Sequence, residues 1–209
     1  MQPVRRVIYS PEKEIYYQMN RKLIVVLSMG VLATAGVAQQ KQRPSPPASS
    51  EITVDGKKIS VNYSAPSMRG RHIFNGPGAL QPDNTTWRAG ANEATVFHTD
   101  ANLDVGGTNV PAGDYALYVW LDTGKWSLIL SKQPLMVNGR KLWGIGMGGT
   151  GDQTTLDEKQ SLGRIPMTMS KPPAPIETYK MTLASEGGNK AKLTLEWENV
   201  VASVPITVK

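Results

Sequence analysis

Through much of the second half of this chain apolar residues recur at every second position, in short runs set off by glycine- or proline-containing turns. Trp126, Leu128 and Leu130 alternate with Ser127 and Ser131. Tyr179, Met181 and Leu183 alternate with Lys180 and Thr182, and Leu193, Leu195 and Trp197 with Thr194, Glu196 and Glu198. A period of two places neighbours on opposite faces of a strand, which is how a sheet with one dry and one wet face is built. No stretch of the domain shows a convincing helical period. Tyr115 to Leu121 is apolar on both faces and predicts a central strand. Asp55-Gly56, between Ile52-Thr53-Val54 and Ile59 to Tyr63, predicts a tight hairpin. The expected fold is an all-β, single-domain β-sandwich, jelly-roll-like or Ig-like in layering, of about eight to ten short strands.

The start of the chain reads as an address. Met19-Asn20-Arg21-Lys22 precedes an apolar run from Leu23 to Val37, and Gly36-Val37-Ala38 supplies small residues for a cut after Ala38. We expect residues 1–18 to be a misassigned extension, 19–38 a signal peptide, 39–50 a Pro/Ser-rich spacer and 51–209 the β-sandwich domain. The expected product is exported, periplasmic or extracellular, with no transmembrane segment in the mature chain. Removing residues 1–38 leaves 18 of the 23 basic residues and 15 of the 17 acidic ones. A net charge of about +3 gives no case for nucleic acid. The chain has no cysteine, which removes disulfides and thiolate chemistry, and its two histidines cannot form a multi-histidine metal site. No metal and no cofactor are expected.

Thr86-Trp87-Arg88-Ala89-Gly90-Ala91-Asn92-Glu93-Ala94-Thr95 concentrates an indole, a cation, an amide and a carboxylate around a glycine. Gly90 and Asn92 tolerate positive φ and predict a backbone corner. A strand should follow, with Thr95, Phe97 and Thr99 facing inward and Glu93 entering at the edge of the core. Two readings stand. In one, Arg88 and Glu93 form a partly buried pair that fixes the corner, and Trp87 is core. In the other, Trp87, Arg88, Asn92 and Glu93 furnish a ligand cleft, with Arg69 and Arg71 nearby as further anion-binding groups. The irregular stretch from Ser64 to Thr86, anchored by Ile73 and Phe74, leads into this motif. The glycine-rich segment 133–163 would be a flap over the site.

Other chemistry finds little support. Gly144-Ile145-Gly146-Met147-Gly148-Gly149 satisfies GxGxxG formally but lacks the strand before and the helix after. No GxSxG elbow is present. His98 reads as a satisfied structural histidine. Glu196 and Glu198 share the polar side of an alternating strand, a solvated face, whereas paired glycosidase carboxylates face each other across a cleft at about 5 to 10 Å.

Taken in order, Val61-Asn62-Tyr63-Ser64-Ala65-Pro66, Arg69-Gly70-Arg71-His72-Ile73-Phe74, Trp87-Arg88-Ala89-Gly90-Ala91-Asn92-Glu93-Ala94-Thr95, Pro111-Ala112-Gly113-Asp114-Tyr115, Leu162-Gly163-Arg164-Ile165-Pro166-Met167 and Glu196-Trp197-Glu198 resemble the bacterial secreted family known as domain of unknown function 2911. The resemblance spans essentially residues 51–209. It implies a signal-bearing protein of the Gram-negative cell envelope and supplies no catalytic residue. The expected function is non-catalytic binding of a small molecule, glycan or envelope component. The alternatives are a hydrolase with Glu93 as general acid/base beside Arg88 and a purely structural envelope protein.

Overall fold

The computed structural model describes residues 43–137, 140–141 and 156–209. The expected signal segment and the GxGxxG string lie outside the described residues. Among the described residues, fifteen strands run in chain order: β1 (Pro47–Val54), β2 (Lys57–Ser64), β3 (Thr85–Trp87), β4 (Thr95–Thr99), β5 (Leu103–Val105), β6 (Thr108–Val110), β7 (Gly113–Leu121), β8 (Ser127–Ser131), β9 (Met136–Val137), β10 (Arg140–Lys141), β11 (Ser161–Pro166), β12 (Thr168–Ser170), β13 (Ile176–Gly187), β14 (Lys190–Glu198) and β15 (Val200–Val208). The number exceeds the expected eight to ten because several strands have only two or three residues. No helix among the described residues is long and apolar enough to cross a membrane.

Thirteen of these strands form two antiparallel sheets packed as a sandwich. The first has the order β1-β2-β4-β7-β8-β11, with β3 also on β7; the second has β13-β14-β15-β5-β6, with β12 on β15. The alternation predicts which side chains face the interior. Phe97, Leu117, Val119 and Leu128 from the first sheet join Met181, Leu193, Leu195 and Val204 from the second in one buried cluster. Fully burying each such side chain stabilises the fold by roughly 1.5–3 kcal/mol.

Central placement of β7 explains its two apolar faces. Tyr115, Leu117 and Val119 enter the main core, while Ala116 and Tyr118 meet Ile129 on the opposite face, covered in part by Leu135 and Leu156. Asp55 and Gly56 turn β1 into β2 with φ of 50° and 70°, the positive values that the Asp-Gly pair predicts. β1 starts at Pro47, so the stretch expected to be a spacer contributes its last four residues to the sheet.

The outer edge of β13 is covered by the first sheet and its loop. Met181 N donates to Tyr63 Oη at 2.9 Å, Leu183 N to Ser50 Oγ at 2.9 Å, and Tyr179 N to Pro66 O at 2.9 Å. Met68 N donates back to Glu177 O at 2.8 Å. These bonds satisfy backbone groups that an open edge would leave for another chain to pair with. They also fix the start of the long loop that builds the site.

Candidate functional site

The corner after β3 is fixed mainly by backbone. Ala89 and Asn92 take φ of 51° and 57°. Thr95 Oγ1 donates to Ala89 O at 3.0 Å, and Ala91 N donates to Ser64 O at 3.1 Å. A Cβ at Gly90 would lie 3.0 Å from Thr95 Oγ1 and 3.1 Å from Ser64 O, so only glycine lets the two chains approach this closely. β4 follows with Thr95, Phe97 and Thr99 buried, as the alternation predicts.

Trp87 belongs to the core. It is 2 % exposed, stacks on Trp197 with centroids 5.9 Å apart, and meets Phe74 and Tyr179 edge-on at 5.3 and 4.9 Å. It is the hub of an aromatic cluster that includes Trp126. Each such pair adds about 0.5–1.5 kcal/mol beyond area burial. Ile73 and Phe74, the expected anchors of the long loop, are both buried, with Phe74 edge-on to Trp126 at 4.7 Å and to Trp197 at 5.6 Å.

The other motif side chains divide between two tasks. Arg88 lines a pocket of about 410 Å³ together with Arg71, Trp197, Gln81, Thr85, Thr86 and Ser45, and with the backbone around Gly90 and Ala91. Burial pulls the Arg88 guanidinium below the ordinary arginine pKa. Its Nε donates to Gly90 O at 3.3 Å. Arg71 donates from Nε to Met68 O at 2.9 Å and from Nη2 to Ser67 O at 2.8 Å, so neutral carbonyls hold its fork and leave its charge available. No carboxylate is among the described residues that line the pocket.

Arg69, Asn92 and Glu93 instead hold the segment just before β1. Arg69 Nη2 donates to Pro44 O at 2.8 Å, Asn92 Nδ2 to Ser45 O at 3.0 Å, and Glu93 Oε1 accepts from Arg43 Nη1 at 2.7 Å. The ion pairs among the described residues join Glu93 to Arg43 and include none between Arg88 and Glu93. Of the expected site residues, then, the structure brings Arg71 and Arg88 together at a pocket and gathers Arg69, Asn92 and Glu93 on a strap. The described part of segment 133–163 contributes no pocket wall; Gln133 Nε2 donates to Tyr118 Oη at 2.9 Å on the outer face of the first sheet. The remainder of that expected flap lies outside the described residues.

One correction concerns Glu198. It does not share a solvated face with Glu196 but is 3 % exposed. It accepts from Ile73 N at 3.1 Å, from Phe74 N at 2.9 Å and from His72 Nδ1 at 2.7 Å. Glu198 is the last residue of β14, and Trp197 already pairs with Val200 across it, so Glu198 sits where the chain reverses and not on the outward row. Glu198 takes φ of 51° there, at a position that usually holds glycine. The signal was legible: inward positions are odd through Trp197 and even from Val200. Through Leu80 N to His72 O at 3.0 Å and Gln81 N to Ile73 O at 2.8 Å, this carboxylate sets the loop that supplies Leu80 and Gln81 to the pocket.

Both histidines face acceptors on each ring nitrogen. His72 Nε2 meets Asn75 O at 2.7 Å, and that bond, with Glu198, raises its pKa. His98 lies between Asp114 at 2.7 Å and Asp100 at 3.0 Å, which raise its pKa with the Asp114 bond as the main cause. That is the satisfied structural histidine expected. Among the described residues no group of three or more His, Asp or Glu is placed to hold a metal ion.

Comparison with known proteins gives a single result. No curated protein and no solved structure matches the chain. The profile of a family described as "Protein of unknown function (DUF2911)" matches residues 45–206, which take in nearly all of both sheets and every wall of the pocket. With so much of its length matched, the chain belongs to that family of proteins of unknown function.

Proposed function

We propose that this is an exported, periplasmic or extracellular β-sandwich protein of the bacterial cell envelope that binds a small anionic ligand without chemical turnover. The observation that carries this reading is the pocket of about 410 Å³ beside the corner, lined by Arg71 and Arg88 and by no carboxylate among the described residues. Its volume falls within the roughly 300–1,000 Å³ of small-molecule sites. Arg71 is pre-organised by two carbonyl acceptors, and Arg88 is partly desolvated, which strengthens its attraction for an anion. Trp197 offers an apolar wall, and the Thr85, Thr86 and Ser45 residues bring hydroxyl groups. Such a set suits a carboxylate, phosphate or sulfate carried on a small body.

The test is calorimetric titration of the protein with inorganic phosphate, sulfate and small dicarboxylates at low ionic strength. Saturable binding is expected, lost in Arg88→Gln and weakened at least tenfold in Arg71→Gln while both variants keep their urea midpoint. Affinities that are equal in all three proteins sink the reading.

A further inference from the structure

The residues just before β1 are Arg43-Pro44-Ser45-Pro46, and the fold treats them as a bound peptide. Two prolines fix φ near −65° and remove two backbone donors, so this strap adopts an extended form at low entropic cost and presents mainly carbonyl oxygens. Three successive carbonyls are each captured by a different donor. Pro44 O accepts from Arg69 Nη2 at 2.8 Å, Ser45 O from Asn92 Nδ2 at 3.0 Å, and Pro46 O from Ala65 N at 2.9 Å. The Arg43–Glu93 pair at 2.7 Å closes the upstream end. Immediately downstream, Pro47 enters register opposite Ser64, so the strap continues a strand that is already fixed.

Two of the capturing residues adopt left-handed backbone, Arg69 at φ 51° and Asn92 at φ 57°. Such conformations cost on the order of 1–3 kcal/mol and persist where the surroundings over-determine them. Here they aim two side chains at one peptide. The strap in turn reaches the pocket, because Ser45 is one of its walls. Glu93 sits two residues from Ala91, another wall, and Arg43 masks the one carboxylate of the motif that would repel an anion.

We infer that residues 43–46 are a closing wall of the anion pocket, held in place by Arg69, Asn92 and Glu93 as positioning residues, and that ligand affinity depends on strap docking. This rests on the pocket reading proposed above. With the strap docked, the ligand's charge is kept from water beside Arg88, where electrostatic attraction is stronger. Linkage makes the dependence reciprocal: bound ligand must tighten the strap by the same factor that the strap tightens the ligand.

The experiment uses the full chain, which has no native cysteine. A spin label on the cysteine introduced by Gln42→Cys reports strap mobility, and calorimetry reads affinity for inorganic phosphate. Two variants loosen the strap without touching Arg71 or Arg88. Asn92→Gly keeps the left-handed backbone and removes the amide donor. The double variant Arg43→Gln, Glu93→Gln removes the ion pair at constant net charge. We expect each to mobilise the label and to weaken phosphate binding at least fivefold at an unchanged urea midpoint, and we expect phosphate to immobilise the label in the otherwise unaltered chain. A freed label with affinity unchanged within twofold overturns the inference, as does a label that stays fixed in both variants. In either case phosphate binding that still depends on Arg88 leaves the pocket reading standing. A chain that binds no phosphate, sulfate or dicarboxylate overturns both.

Discussion

Glu93 and Glu198 each secure a segment that walls the same pocket, and they do so by opposite means. Glu93 has a quarter of its side chain exposed and meets the more exposed Arg43. Glu198 is buried and accepts from two consecutive backbone amides and a histidine. An exposed ion pair contributes about 0–1 kcal/mol, since water competes for both charges. A buried carboxylate that satisfies backbone donors is different, because removing it strands those donors at about 1–3 kcal/mol each. The upstream end of the strap is therefore closed by a weak contact, whereas the loop that carries Gln81 is fixed by a strong one.

The sharpest way to break that contrast is Glu198→Gln. Its amide cannot accept from both Ile73 N and Phe74 N without turning a donor toward one of them, and we expect a loss of about 3 kcal/mol in unfolding free energy by urea titration. A loss under about 1 kcal/mol would mean that the loop is fixed by Ile73 and Phe74 packing alone. Next comes Gly90→Ala, expected to cost about 2 kcal/mol because the added methyl group meets Thr95 Oγ1 and Ser64 O in a close-packed corner. That result would place the rigidity of the Glu93 side in its backbone. The double change Arg43→Gln, Glu93→Gln should shift stability by less than about 1 kcal/mol. A larger cost in a urea melt would make Glu93 a structural anchor like Glu198.

The smallest effect is in pH. The His72 pKa is raised above its ordinary value near 6.5 by its bonds to Asn75 O and Glu198. The stabilisation it adds is therefore complete below the unfolded value and is lost as pH rises through the higher folded one. The stability difference between the native chain and His72→Phe should accordingly be larger at pH 5 than at pH 8. An NMR titration that put the His72 pKa below 6.5 would reverse that sign.

Much of the sandwich could be read from local pattern. The Asp55-Gly56 turn, the two-faced strand at Tyr115 to Leu121 and the inward run of Thr95, Phe97 and Thr99 depend only on period two and turn chemistry, and all are found. The corner at Gly90 was legible for the same reason. Its partners were not. Arg88 and Glu93 are five residues apart and of opposite charge, yet Glu93 reaches Arg43, fifty positions away, because strand β1 lies beside β2 and carries the strap past the corner. Glu198 was misread because a polar residue after Trp197 looks like one more outward position until the chain reverses under it.

The sequence by itself determined the sheet periodicity, the turns and the concentration of polar groups between Trp87 and Glu93, since these follow from backbone preferences and the burial of alternate side chains. Only the tertiary structure decided that Trp87 is interior, that Arg71 joins Arg88 at a pocket, and that Glu198 receives the amides of Ile73 and Phe74. Each of those depends on contacts between residues far apart in the chain, and local propensity carries no term for them.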